Sequence, residues 1–449
     1  MNKAISLKQI TLSILALVMA AGCAPSPRAT PSGLAQATLP RPAPSATVRS
    51  TQVPTSQATQ TPDVDPTITP TAHIADGLTR ACIDPSKSTG IGLPPGRIVM
   101  FAIDNPSRVV VMDAETGSLE ALPGSSEKDV MSSVHVSPDF TKIAYRNETL
   151  GQLTIGEASG SVSLSIPWPA TWQQIDGWLN DHQLIVDTST TGEDHKLVLL
   201  DVDSQAQTEL PSTFPDLIAF DPDPFWQWFN ATKIIYDRTA RTALYPGKSS
   251  GMGALILRSL PDEKIITELP GTISYGLTPI WSLDSQRTVI KGPASLLSAK
   301  PKEDIDSTQE ELYLLDADGV TKQITHLTES WEEVDFYQYS WSPDGTRLAF
   351  RFIAGPYDYP DLYPTSRPDL PGRLAVLDLE SGMITDYCLP SGQSLAAPVW
   401  SPDGGYLLVE DYYQSLPPYE SNVYAVDLEK HVASILIDGF TPIGWVALK

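Results

Sequence analysis

Eight residues in the C-terminal quarter of the chain have the types and spacing to hold a ligand. Tyr357, Asp358, Tyr359 and Tyr363 lie in one Pro-rich run, Asp411, Tyr412 and Tyr413 in a second, and Tyr419 just beyond it. A tyrosine presents a rigid apolar ring with a polar tip and loses little rotamer entropy when immobilised. Beside Asp358, Asp361, Glu410 and Asp411, such rings suit a sugar, a peptide or a basic protein surface. Asp358 and Asp411 could instead act as acid and base on a polysaccharide. Folding would then have to bring them about 5–5.5 Å apart for retention or about 6.5–9.5 Å for inversion. The expectation is a binding surface rather than an enzyme.

The other reactive side chains point elsewhere. His73, His135, His182, His195, His326 and His431 are scattered, and none has an i,i+4 partner or a nearby Cys. That excludes a zinc signature and leaves turn or surface roles. Asp316-Ala317-Asp318-Gly319 opens as a calcium loop would, but the Glu that should close it is absent, so it reads as a hairpin turn. No metal and no cofactor are expected.

The first 22 residues have the three parts of a secretory signal. Lys3 and Lys8 supply positive charge, Ile10 to Met19 is an apolar run broken only by Thr11 and Ser13, and Ala20-Ala21-Gly22 are small. A membrane-spanning helix needs about 20 apolar residues, more than this run has. Ala20-Ala21-Gly22-Cys23 resembles the bacterial lipobox, although Ala20 stands where that motif usually has Leu. The resemblance implies that the Cys23 thiol receives a diacylglyceryl group, and the mature protein would then be held to a membrane by acyl chains of the palmitate type alone. Ordinary cleavage near Ala21 is the alternative.

Residues 23–80 are rich in Pro, Thr, Ala, Ser and Gln and contain no Phe, Trp or Tyr. Such a segment buries too little apolar surface to offset its ordering entropy, so a flexible stalk reaching on the order of 40 Å is expected. Residues 81–92 are expected to dock on the folded part, which runs from 93 to 449. Lys+Arg number 30 against 54 Asp+Glu, a net charge of −24. That surface repels phosphate backbones, so nucleic acid is not an expected partner. A monomer that meets an unidentified protein, peptide or glycan of the cell envelope is.

A repeat must position these residues. An apolar lead residue, usually Trp, precedes a polar turn and a short apolar strand. The clear copies are Trp341-Ser-Pro-Asp-Gly and Trp400-Ser-Pro-Asp-Gly; weaker ones begin at Val136, Trp178, Trp228 and Trp281. The residues after the leads are 137, 179, 229, 282, 342 and 401, giving intervals of 42, 50, 53, 60 and 59 residues. Such spacing suits one four-stranded blade with variable loops. A second hairpin follows each copy, as in Arg373-LAVLDLESGMITDYCL. Counting second strands at Arg97, Lys142, Gln183, Lys233, Arg287, Arg347 and Tyr406 gives seven. The fold class is therefore all-β: a seven-bladed β-propeller of four-stranded antiparallel blades, closed where the C-terminal strand around Trp445 pairs with the Arg97 strand.

Long loops are expected between second and third strands in blade four (Arg238 to Met252, with Tyr245), blade five (Gly292 to Glu310), blade six (from Gly355) and blade seven (from Glu410). Cys82 and Cys388, an even pair once Cys23 is acylated, suit a disulfide pinning the stalk's end to the outer strand of blade six; two free thiols are the alternative.

The Trp341 and Trp400 copies resemble the WD40-like repeat of TolB-type propellers. That family sits in the cell envelope and binds protein partners, and related propellers precede the hydrolase domain of prolyl-oligopeptidase-type peptidases. The resemblance implies a binding module. The chain counts to seven blades rather than TolB's six, lacks its separate α/β domain, and is expected to carry neither a hydrolase domain nor a serine on a nucleophile elbow.

Overall fold

The second and third strands of most units are largely buried: Arg347–Gly355 has two residues short of full burial, and Arg373–Asp378 only its two ends. A strand reads this way when both its faces are covered. The computed structural model shows what covers them. It describes residues 77–83, 92–190, 194–214, 234–249, 252–270, 279–284, 286–297, 309–355, 373–389, 397–413 and 420–448. Seven separate sheets stack side by side, and each buries its faces against its two neighbours.

Blade 1 pairs Phe440–Ala447 with Gly96–Ala102, Asn105–Asp113 and Leu119–Ala121. Blade 2 runs Met131–Val136, Lys142–Asn147, Gln152–Glu157 and Val162–Pro167. Blade 3 runs Trp172–Asn180, Gln183–Thr190, Asp194–Asp201 and Gln207–Leu210. Blade 4 has Ile235–Tyr236, Thr242–Ser249, Met252–Ser259 and Ile265–Pro270, and blade 5 has Ile280–Trp281, Arg287–Pro293, Glu310–Asp316 and Thr321–Gln323. Blade 6 has Glu333–Trp341, Arg347–Gly355, Arg373–Asp378 and Ile384–Asp386, and blade 7 has Val399–Trp400, Tyr406–Tyr413, Glu420–Asp427 and Val432–Asp438. First strands of several neighbouring blades touch, as Phe440–Ala447 does with Met131–Val136 and Val399–Trp400, which makes them the inner strands of the ring.

The fold class expected from the repeat is the one found. Ring closure pairs Ile98 with Trp445 and Arg97 with Val446, so the C-terminal strand completes blade 1. Seven apolar cores fill the seven junctions; Phe350 and Phe352 of blade 6, for example, pack with Val289 and Leu312 of blade 5.

The Trp-Ser-Pro-Asp-Gly turn is an inter-blade clamp. Within the turn, Ser342 Oγ donates to Asp344 Oδ1 (2.5 Å) and accepts from the Arg347 amide (2.9 Å). Between blades, the Trp341 indole N–H donates to the Ile280 carbonyl of blade 5 (2.8 Å). Arg287 of blade 5 returns the contact, donating to the Gly345 carbonyl (3.1 Å) with its guanidinium 5.8 Å from the Trp341 ring centre. The same arrangement joins blades 6 and 7: Trp400 donates to the Ser340 carbonyl (3.1 Å) and Arg347 to the Gly404 carbonyl (2.8 Å). Gly404 has φ +70°, and a Cβ there would sit 2.7 Å from the Arg347 guanidinium, so any other residue would be strained and would displace the arginine.

One register differs from expectation. Blade 4 leads with Tyr236, not Trp228. Ile235–Tyr236 is the first strand, and the second begins at Thr242 after a turn closed by Asp237 and Ala240. Arg238 to Met252 is therefore turn and hairpin rather than a long loop, and Tyr245 is fully buried, stacked on Phe214 at 4.5 Å.

A fifth strand extends blade 6. Leu78–Arg80 pairs in parallel with Ile384–Asp386, starting inside the segment expected as stalk. Cys82 and Cys388 are joined by a disulfide with their Cα atoms 4.7 Å apart. Leu78 packs in the core between blades 5 and 6, Ala81 and Ile83 in the core between 6 and 7, and Leu93 in the core between 7 and 1. Among the described residues no helix is long and apolar enough to cross a membrane.

Candidate ligand-binding face

Antiparallel meandering puts the turns from first to second and from third to fourth strand at one end of the ring. The connections from second to third strand lie at the other. In blades 1 to 4 those latter connections are residues 103–104, 148–151, 191–193 and 250–251. In blades 5, 6 and 7 they are 294–309, 356–372 and 414–419. The expected long connections are present in blades 5 and 6; in blade 7 the strand runs on to Tyr413 and shortens the connection to 414–419, and in blade 4 it is 250–251.

Of the expected ligand residues, Tyr357, Asp358, Tyr359, Tyr363 and Tyr419 lie outside the described residues, as does Cys23. Asp411, Tyr412 and Tyr413 are not in a loop. They prolong the second strand of blade 7 and pair with Asn422, Ser421 and Glu420.

Beneath this end lies a set of buried charges that single-sequence reading missed. Ten residues after the leads Trp281, Trp341 and Trp400 stand Lys291, Arg351 and Glu410, all buried. Strand alternation sends the ninth residue after each lead into the preceding junction and the tenth toward the following blade. Ile290, Phe350 and Val409 accordingly join apolar cores with blades 4, 5 and 6. Lys291 reaches blade 6, Arg351 donates from Nη2 to the Glu410 carbonyl of blade 7, and Glu410 accepts at Oε1 from Thr441 of blade 1 (2.6 Å). Ser421 gives Glu410 a further donor at 3.1 Å. The shared offset from the lead is the signal that could have revealed them.

The blade 5–6 junction holds the densest group. Lys291 Nζ lies 2.7 Å from Glu310 Oε2 and 3.1 Å from Asp335 Oδ1, and the lysine and glutamate side chains are 5% and 9% exposed. Burial pushes the Glu310 carboxyl up to about 7, against the pull of Lys291, with a hydrogen bond to Asp335 adding to the rise. Burial also opposes ionisation of Asp335, but the Lys291 ammonium and hydrogen bonds from Glu310 and Tyr337 outweigh it and hold that carboxyl below its ordinary value. The two anions more than offset the burial of Lys291, whose pKa is raised. Next in sequence, Glu311 turns to the connector and accepts from Thr325 Oγ1 (2.5 Å), the Thr328 amide (2.7 Å) and Thr328 Oγ1 (2.6 Å). Gln309 forms a parallel bridge to Val334. The 294–309 connection is thus fastened firmly where it rejoins the sheet.

Asp316 Oδ1 accepts from the Asp318 and Val320 amides (3.0 and 2.7 Å), the bonding of a hairpin turn. Among the described residues no group of three or more His, Cys, Asp or Glu side chains could hold a metal. Gly247-Lys248-Ser249-Ser250-Gly251 does carry the Gly-x-Ser-x-Gly spacing of a nucleophile elbow, contrary to expectation. An elbow needs a strand-to-helix turn, whereas Ser249 ends a strand and pairs with Met252 across a hairpin.

By architecture, then, the chain is a seven-bladed β-propeller with one loop-rich sector. No protein-family model matches it and no curated protein sequence does. Among solved structures it is similar to TolB from Acinetobacter baumannii, with 12% identity, a TM-score of 0.39, and coverage of 79% of this chain and 67% of that one. It is also similar to an oligogalacturonate lyase in complex with manganese (11% identity, TM-score 0.42, 77% and 85% covered). A puromycin hydrolase matches at 13% identity and TM-score 0.46, with 78% of this chain and 55% of that one covered. The fold assignment rests on the strand pairing itself.

Proposed function

We propose that this protein is a non-catalytic binding or scaffold module of the cell envelope, lipid-anchored through Cys23, whose ligand docks on the loop-bearing end of blades 5 to 7. The observation that carries the reading is the asymmetry of the ring: three adjoining blades combine long second-to-third-strand connections with buried charges beneath them. A rigid foundation under long loops is where binding surfaces are commonly built. The loops' tyrosines and acids suit a peptide, a glycan or a basic protein surface. The acids described at this end serve the scaffold, since Glu310, Glu311 and Glu410 are buried and bonded. That favours binding over a propeller hydrolase or lyase acting on polysaccharide. The Cys82–Cys388 disulfide supports an oxidising, exported setting.

The test combines two variants. Cys23→Ala should move the protein from the membrane to the soluble fraction; a mutant that still sediments with membranes removes the anchor. Changing Tyr359, Tyr412 and Tyr413 to Ala should abolish the partners recovered from envelope extract by the wild type. An unchanged partner set removes the proposed face, and release of new chain ends from envelope polysaccharide by the wild type would favour the enzymatic reading.

A further inference from the structure

Ring closure and the fifth strand of blade 6 are held by different means. Closure pairs Gly96–Ala102 along its whole length with the C-terminal strand, and Ile98, Val99, Met100, Trp445 and Val446 are buried there. The strap of residues 77–83 pairs only Leu78, Thr79 and Arg80, in parallel, at the outer edge of a sheet. The Ile384 amide also donates to the Gly77 carbonyl (2.8 Å), the Ala81 amide to the Asp386 carbonyl (2.8 Å) and the Ile83 amide to the Tyr387 carbonyl (3.0 Å). Leu78 and Ile83 are buried, whereas Thr79, Arg80 and Cys82 are exposed. Against the entropy of ordering the whole strap stand a three-residue strand and two buried side chains. Edge segments of that kind open locally at small free-energy cost. The Cys82–Cys388 bond removes most of that freedom by holding strap and blade together across 306 residues of sequence.

The two cysteines are not equivalent. Cys388 is fixed to its blade: its amide donates to Asp386 Oδ1 (2.8 Å), and Asp386 is fully buried and paired with Arg373 (3.0 Å). Cys82 belongs to the strap and is exposed, and Cys388 is half-buried, so the bond lies at the surface. We infer that the Cys82–Cys388 bond is a thiol-operated latch: exchange with a dithiol frees the strap from blade 6 and leaves the ring closed. One thiolate of the dithiol attacks Cys82 Sγ, the S–S bond breaks, and Cys388 leaves as a thiolate that takes up a proton. The second thiol of the dithiol then attacks the mixed disulfide and releases Cys82 as a thiol. Two electrons and two protons reach the protein, and the dithiol becomes a disulfide. Release uncovers the backbone edge of Ile384–Asp386 and the seats of Leu78, between blades 5 and 6, and of Ile83, between blades 6 and 7. Cys388 keeps its place through Asp386, so re-oxidation refastens the strap. Nothing in this depends on what the loop-bearing face binds.

The experiment takes the full chain, oxidised or treated with dithiothreitol without denaturant, and then alkylates it. Mass spectrometry should find Cys82 and Cys388 alkylated only after dithiothreitol. Hydrogen exchange at the amides of Ala81, Ile83 and Ile384 should then accelerate by about tenfold or more, while those of Ile98 to Phe101 keep their rates. Trypsin should cut after the exposed Arg80 faster by a similar factor in the reduced chain. The double variant Cys82→Ser, Cys388→Ser should match the reduced chain with or without dithiothreitol; should it fail to fold, the wild-type measurements decide alone. Three results each overturn the inference. The bond resists dithiothreitol until the protein is denatured; reduction leaves exchange at Ala81, Ile83 and Ile384 unchanged; or the closure strand accelerates as much as the strap, which would make the bond a staple of the whole ring.

Discussion

Blades 1 to 4 and blades 5 to 7 are made from the same four-strand unit, but their second strands differ at one position. Ten residues after its lead, blade 2 has Arg146, which also reaches the following blade by donating to the Gln173 carbonyl (2.9 Å), but its side chain stays 27% exposed and pairs with Glu148 on the surface. Blade 4 has Pro246 and no charge there. In blades 5 to 7 the same position holds Lys291, Arg351 and Glu410, each buried and each reaching the following blade. Second and third strands in the first sector are separated by two to four residues, and in the other by six to seventeen. A hairpin fixes the end of a strand pair by its own turn bonds. A long connection does not, so the lesson of the contrast is that buried polar contacts hold the strand ends where the hairpin is missing.

The largest test of the contrast removes the covalent bond in the second sector. The Cys82–Cys388 bond spans 306 residues of sequence and closes a loop through blades 1 to 6. Replacing both cysteines with Ser should lower unfolding stability by on the order of 5–6 kcal/mol on loop entropy alone. Exchange mapping should then show blades 6, 7 and 1 opening before blades 2 to 4. A loss under about 1 kcal/mol, or uniform opening, would break the comparison.

A smaller effect is expected at the buried charges. Thr441→Val takes away the shorter of the two hydroxyl contacts to the Glu410 carboxylate and should be destabilising by about 1–3 kcal/mol. Arg146→Ala, at the equivalent place in blade 2, should be destabilising by about 1 kcal/mol or less, because its contacts with Glu148, the Gln173 carbonyl and the Trp168 ring are part-exposed. Denaturant titration of the two variants reads the difference, and equal losses would show that the sectors are held alike.

The smallest pair concerns the clamp. Trp341→Phe leaves the Ile280 carbonyl without its indole donor and should be destabilising by about 1–2 kcal/mol. Tyr236→Phe at the matching lead of blade 4 should be neutral or slightly stabilising, since that hydroxyl is buried with no hydrogen-bond partner among the described residues. A substantial loss at Tyr236 would mean that blade 4 is clamped through a contact other than the lead residue's polar tip.

The propeller was readable because its turn chemistry is written in the sequence. Ser342, Asp344 and Gly345 are there for bonds and a backbone angle that few other residues supply, and they repeat at Ser401, Asp403 and Gly404. Closure followed from a lone strand at each end of the repeat. Blade 4 was misplaced by eight residues because Tyr236-Asp-Arg-Thr-Ala lacks both Pro and Gly, while Trp228-Phe-Asn imitates a lead. The candidate face was legible only as composition. Tyrosines and acids in Pro-rich runs announce a surface, but which charged residue of Arg351-Phe-Ile or Val409-Glu-Asp turns inward depends on the neighbouring blade. Lys291, Glu310 and Asp335 are far enough apart in sequence that only the junction of two blades brings them together.

The fifth strand determines how the molecule would carry a load. A pull on the chain ahead of Gly77 arrives first along Leu78–Arg80, which lies parallel to Ile384–Asp386, so its backbone bonds would be strained in shear and together rather than unzipped singly. Beyond them the pull meets Cys82, bonded to blade 6, before it can reach the Gly96 strand of blade 1. Tension from that side is therefore grounded in the ring's outer rim, and the strand pair that closes the ring is shielded from it.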